Sequence, residues 1–174
     1  MKIVNKEVLY KGFYQLNKLF LKNSNNGEMF DREQFQTPNS IGVLLHDKKN
    51  SKIVLVEQFR IGPEKKLLEI VAGKVENDDV NLEQTASREV MEECGFEIEQ
   101  IQLIHRFYTG PGQVTEQMSL YYAVVGERVF EGGGLADENE EIEVKFMGED
   151  EFIKAKFTDA KTIIAQQWFQ LNIN

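Results

Sequence analysis

The sequence predicts an α/β fold, a mixed sheet with helices on both faces, plus a small N-terminal antiparallel β segment. Three observations carry this. Between residues 40 and 147, short apolar strand patterns surround one amphipathic helical pattern, and two further helical stretches close the chain. The first 39 residues hold three alternating segments separated by turn signals. With 174 residues, 41% of them hydrophobic, and with 12 Phe and 5 Tyr, the chain can bury one ordinary core and lacks the composition of a disordered segment.

Residues 2–10 and 13–22 alternate apolar and polar positions, and Asn23-Ser24-Asn25-Asn26-Gly27 turns the chain into a third strand at 28–35. Thr37-Pro38-Asn39-Ser40 punctuates a boundary, so the chain is expected to divide into residues 1–39 and 40–174. Strands at 41–46 and 53–59 flank the polar hairpin Asp47-Lys48-Lys49-Asn50. Residues 67–72 read as one short strand leading into a polar loop that Gly73 opens. A helix is expected from about 81 to 94, with Leu82, Ala86 and Val90 as its core stripe. Strands at 98–108 and 118–125 follow, then a Gly-rich acidic loop at 131–141, read as mobile. A strand at 142–147 and a short helix at 149–155 precede a closing helix at 159–171, with Ile163, Ile164, Trp168 and Leu171 facing inward. Three strands are too few to bury a core of their own, so the N-terminal segment is expected to pack on the rest of the chain or on a partner subunit.

Charge excludes several functions. The formal net charge is −9 and no basic block occurs, which argues against nucleic acid or an anionic membrane as partner. The single Cys94 excludes an internal disulfide, and its acidic neighbours would not activate its thiol. No signal-peptide pattern and no apolar run near the roughly 20 residues of a membrane span are present, so a cytoplasmic protein is expected. His46 and His105 have no metal-ligand spacing and read as structural.

The chemistry concentrates in Arg88-Glu89-Val90-Met91-Glu92-Glu93-Cys94-Gly95-Phe96. Glu89, Glu92 and Glu93 stand at i, i+3 and i+4 and share one helical face. With Gly95 as a C-terminal stop, three carboxylates crowd a turn where the macrodipole is already negative. Like-charge pairs cost roughly 0.2–0.5 kcal/mol each and the dipole about 0.3–1 kcal/mol per charge. A cation is needed to offset this. Hard oxygen ligands suit Mg²⁺ or Mn²⁺ rather than zinc.

Together with Gly73, this stretch resembles the signature of the Nudix hydrolases, a glycine loop followed by a helix ending R-E-apolar-x-E-E-x-G-apolar. One residue is inserted in the loop half: five residues separate Gly73 from Asp79, and eight separate Asp79 from Arg88. Further segments are similar in order and spacing to the family's bacterial ADP-ribose pyrophosphatase group. These are Glu57-Gln58-Phe59-Arg60, Leu68-Glu69-Ile70-Val71-Ala72-Gly73, Gly110-Pro111-Gly112 followed by Glu116, and Gly134-Leu135-Ala136-Asp137-Glu138-Asn139-Glu140.

The resemblance implies the Nudix α/β/α sandwich for residues 40–174. It also implies Mg²⁺-dependent cleavage of a nucleoside diphosphate sugar, such as ADP-ribose to AMP and ribose 5-phosphate. On the same basis Glu89 and Glu93, helped by Glu92 and the Ala72 carbonyl, are metal ligands. Arg88 orients the carboxylates and counts with Glu92 in the catalytic set. Arg60, Glu57 and Glu116 meet substrate, and Glu138, with Glu140 as the alternative, is the general base. A homodimer is implied, in which the N-terminal segment reaches the partner. Two other functions stay open: a pyrophosphatase for GDP-mannose or another nucleotide sugar, and a sensor that binds ADP-ribose without cleaving it. The full carboxylate set argues against the sensor.

Overall fold

Alternation in the first 39 residues becomes a three-stranded antiparallel sheet, β1 (Lys2–Lys11), β2 (Gln15–Lys22) and β3 (Met29–Gln36), in that order. The turn before β3 closes through the Gly27 amide on the Asn23 carbonyl, with Gly27 at φ 74, a conformation glycine adopts without cost. Asn17 at the centre of β2 is fully buried, and the amides of Gln15, Gln34 and Gln36 satisfy its side chain. The computed structural model describes residues 1–76, 78–134 and 141–173.

The chain forms two compact units, residues 1–39 with 107–118, and residues 40–106 with 119–174. That 107–118 joins the N-terminal strands is not apparent from the sequence. It is held by backbone bonds between Phe35 and Gln113 and between Phe35 and Thr115, and by the Thr37 amide on the Thr115 hydroxyl.

In the second unit, seven strands form one sheet: β4 (Ser40–Asp47), β5 (Lys52–Arg60), β6 (Lys65–Glu69), β7 (Val71–Lys74), β8 (Phe96–Tyr108), β9 (Gln117–Arg128) and β10 (Ile142–Gly148). The order is β10-β5-β4-β9-β8, with β6 paired to β5 and β7 to β4. The sequence reading of 67–72 as a single strand is corrected here. β4 pairs with β5 only over Leu45–Asp47, then with β7 over Ser40–Val43, while β5 pairs with β6 over Val56–Arg60. The sheet forks, and the chain bends at Ile70 to fill the fork with two strands.

Every residue of β4 is buried, as a central strand covered on both faces requires. Its odd positions Ile41, Val43 and Leu45 pack with Val54, Val56, Ala86, Val90 and Cys94 under helix α1 (Leu82–Cys94). On the other face lie α2 (Glu149–Lys154) and α3 (Ala160–Asn172), which bring in the fully buried Phe152 and Phe169. Each such ring contributes about 1.5–3 kcal/mol by burial. The result is the expected mixed sheet between helical layers.

His46 is indeed structural. It is buried edge-on to Phe169, with Nδ1 2.7 Å from the Tyr122 hydroxyl and Nε2 2.7 Å from the Glu149 carboxylate. Burial, with Glu149 adding to it, pushes the Tyr122 hydroxyl up to about 12. His105 is exposed on β8.

α3 departs from its expected phase. Leu171 is 83% exposed, Ile163, Ile164 and Trp168 are half-buried, and the inward face is Lys161, Thr162, Ala165 and Phe169. Two polar residues occupy interior positions because they have interior partners, described below. Among the described residues, no helix is long and apolar enough to cross a membrane.

Candidate active site

Helix α1 carries the carboxylates, and both of its ends are defined by side-chain chemistry. The Asn81 carboxamide accepts the Glu83 amide at 2.9 Å, an N-cap that satisfies a free donor of the first turn. At the other end Gly95 takes the left-handed conformation, φ 70, and its amide returns to the Met91 carbonyl at 2.9 Å. A Cβ on Gly95 would lie 2.1 Å from the Phe130 carbonyl oxygen, so the crossing chain admits no side chain there.

The glycine stretch that opens the acidic loop is hydrogen-bonded to the helix at this point. The Gly133 amide donates to the Glu93 carbonyl at 2.9 Å and the Gly134 amide to the Glu92 carbonyl at 3.2 Å. These satisfy carbonyls that a helix end otherwise leaves open. Gly132, at φ 73, lies against the same turn, where a Cβ would come within 2.3 Å of the Glu93 carbonyl oxygen. Residues 135–140, with Glu138 and Glu140, lie outside the described residues.

The helix face itself sits over β7. A Cβ on Gly73 would fall 1.9 Å from the carboxyl carbon of Glu89, so the absence of a side chain creates the space that carboxylate uses. Ala72 and Gly73 are themselves fixed in the sheet opposite Gly42 and Ile41. Gly73 is therefore a strand residue and not the start of the loop.

Glu93 is 3% exposed, and Arg88 spans the other two acids, with Nη1 3.0 Å from Glu92 and Nη2 3.0 Å from Glu89. Nη2 is also 3.9 Å from Asp79, the acid displaced by the one-residue insertion. Asp79 in turn accepts the Glu76 amide at 2.8 Å. Burial lowers the Arg88 pKa, but Glu89, Glu92, Asp79 and Glu76 outweigh it and the net shift is upward. Cys94, buried beneath, has its thiol pushed well above its ordinary value by burial and then by Glu93, which removes it as a nucleophile.

Arg60 ends β5 close enough to the carboxyl end of α1 for Glu93 to act on it electrostatically. Burial lowers its pKa, and the bond and charge of Glu69, then Glu93 and Asp159, raise it more. Its Nε donates to Glu69 at 2.6 Å. Glu57, three residues earlier, falls on the other face of β5 by strand alternation and pairs loosely with Lys66 at 3.9 Å. Glu116 belongs to the first unit, where it accepts the Thr109 hydroxyl at 2.6 Å. The structure thus groups Ala72, Gly73, Arg88, Glu89, Glu92, Glu93 and Arg60.

Sequence reasoning missed Glu69, fully buried beside Arg60, and Lys161, which holds it. The available signal was an acid inside the apolar run Leu67-Leu68-Glu69-Ile70-Val71-Ala72. Among the described residues, no group of three or more His, Cys, Asp or Glu side chains is arranged to hold a metal ion. Arg88 engages two of the helix acids instead.

A family model described as the NUDIX domain matches residues 36–167. The chain belongs to the Nudix family. The ADP-ribose pyrophosphatase of Escherichia coli K12 is 32% identical over 186 residues, covering 99% of this chain and 88% of that protein. A methanol dehydrogenase activator from Bacillus methanolicus is 39% identical over 150 residues, covering 84% and 80%. A GDP-mannose pyrophosphatase from Cronobacter sakazakii is 33% identical over 152 residues, covering 80% and 78%. The crystal structure of an ADP compounds hydrolase shares the Nudix fold with a TM-score of 0.78 at 19% identity, covering 97% of this chain and 94% of that one.

Proposed function

We propose that this Nudix protein hydrolyses the diphosphate of ADP-ribose or a similar nucleoside diphosphate sugar, giving AMP and ribose 5-phosphate from ADP-ribose. The observation that carries the reading is the last turn of α1. Glu89, Glu92 and Glu93 share that end of the helix, Glu89 lies over Gly73, and Glu93 acts electrostatically on Arg60. Two relatives with pyrophosphatase names, for ADP-ribose and for GDP-mannose, support the same substrate class.

The donor set fits a hard divalent cation, Mg²⁺ or Mn²⁺. Glu89, Glu92 and Glu93 offer only oxygen, the Ala72 carbonyl adds another oxygen from β7, and Gly73 leaves the Glu89 carboxylate room. When bound, such a cation neutralises the crowded diphosphate oxygens and acidifies the attacking water. Arg88 orients Glu89 and Glu92. Arg60 supplies guanidinium donors to the phosphates, a pairing that is charge-assisted and directional. Glu138, or Glu140 in its place, takes the proton of the attacking water. Glu57 and Glu116 are the remaining substrate-contact candidates.

A homodimer completes the proposal. β1 is exposed along its whole length, and Ile3, Tyr10, Phe13 and Met29 are exposed apolar side chains of the same unit. Apolar surface of that kind marks an interaction face. A cytoplasmic location accords with the acidic, disulfide-free composition.

The test is product detection on a panel of nucleotide sugars with Mg²⁺. AMP release from ADP-ribose above the other substrates supports the reading, and preferential cleavage of GDP-mannose moves it to the second pyrophosphatase class. Saturable ADP-ribose binding with no turnover would replace it with the sensor.

A further inference from the structure

Four charged side chains form a buried chain from the end of β5 to the start of α3. Arg60 Nε donates to Glu69 Oε1 at 2.6 Å, and Lys161 Nζ donates to Glu69 Oε2. Lys161 also donates to Asp159 Oδ1 at 3.1 Å. Glu69 is fully buried and Lys161 is 8% exposed, while Arg60 retains 36% exposure. The two cations and two anions balance, so loss of one member leaves an uncompensated buried charge. The network continues into the backbone. Asp159 Oδ2 accepts the Thr162 hydroxyl at 2.6 Å, and Thr162 Oγ1 in turn accepts the Ile70 amide at 3.0 Å, at the bend between β6 and β7.

A guanidinium is planar, so fixing its Nε–H on one carboxylate fixes the plane and with it the directions in which the remaining N–H donors of the terminal nitrogens point. The carboxylate can do this only if it cannot rotate, and Glu69 has its second oxygen tied to Lys161. We infer that Glu69 is a positioning residue for Arg60, that Lys161 locks it in place, and that the start of α3 thereby sets the orientation in which Arg60 meets the substrate diphosphate. This rests on the reading that Arg60 contacts substrate. It also explains why α3 turns Lys161 and Thr162, and not Leu171, toward the interior.

The experiment is a double-mutant cycle on ADP-ribose hydrolysis at saturating Mg²⁺, with Arg60→Ala, Glu69→Gln and their combination. Glu69→Gln should raise KM about tenfold with kcat held within about threefold, and should add less than about twofold once Arg60 is Ala. Should Glu69→Gln fail to fold, Glu69→Gln with Lys161→Met removes one charge of each sign, and the same cycle is run on that background. An equal KM increase with and without Arg60, or no increase at all, overturns the positioning role. If Arg60→Ala leaves KM unchanged, it is the substrate role of Arg60 that fails, a result the cycle separates from the first.

Discussion

Replacing Gly73 by alanine tests the candidate site where its geometry is tightest. The added Cβ would sit 1.9 Å from Cδ, 2.2 Å from Oε1 and 2.4 Å from Cγ of Glu89, whereas ordinary contact begins at 3.4 Å. The carboxylate must therefore retreat by about 1.5 Å, and a flexible side chain can do so without moving backbone. Gly73 lies in β7 and has no positive φ, so alanine suits its conformation and reduces the freedom of the unfolded chain. Stability should stay level or rise by up to about 1 kcal/mol. Activity should not survive, because a displacement of this size at a reacting centre costs roughly 100-fold. The assay pairs a thermal melt with turnover of ADP-ribose over a Mg²⁺ titration. A Gly73→Ala variant that melts normally and loses turnover supports the site. Near-normal turnover at every Mg²⁺ concentration would refute the reasoning, since Glu89 would then be free to leave its place without consequence.

Glu138→Gln should lower kcat by about 10²–10⁴-fold with KM nearly unchanged, and Glu140→Gln should do less. The reverse ranking in the same assay transfers the base to Glu140. The Tyr122 hydroxyl, held up to about 12 against an unfolded value of about 10, binds its proton more tightly in the folded state. Its stability contribution is therefore complete below about pH 10 and lost as pH rises toward about 12, so wild type should melt progressively earlier across that window while Tyr122→Phe loses less. Parallel melting curves would remove Tyr122 as the cause. Sedimentation at micromolar concentration should give a dimer, and a fully active monomer would rule out a partner's contribution to the site.

Much of this molecule is written locally in its sequence. Asn81 and Gly95 delimit α1 because a cap and a left-handed stop each depend on one residue and its immediate neighbours. The carboxylate face is equally local, being a matter of three- and four-residue spacing. The fork at Ile70 is not local. The run Leu67-Leu68-Glu69-Ile70-Val71-Ala72 is continuous in hydropathy, and nothing within it records that its two halves pair with different strands. The phase of α3 fails for a related reason. Apolar spacing points Leu171 inward, but the helix is turned by a Lys161–Glu69 pair whose members lie 92 residues apart. The segment 107–118 is drawn to the N-terminal strands by backbone bonds and by the Thr115 hydroxyl on Thr37, partners 78 residues apart that no local pattern records.

The two glycines at the end of α1 differ from Gly73 in what a genetic suppressor could repair. At Gly73 the obstacle to a side chain is Glu89, so a shorter residue there would relieve the crowding, at the expense of the carboxylate. At Gly95 and Gly132 the obstacles are main chain, the Phe130 carbonyl in one case and the Glu93 carbonyl with the Cys94 Cα in the other. No substitution elsewhere shortens a peptide group. A lesion at either position should yield only true revertants in a selection for restored activity, and the two should behave as one locus.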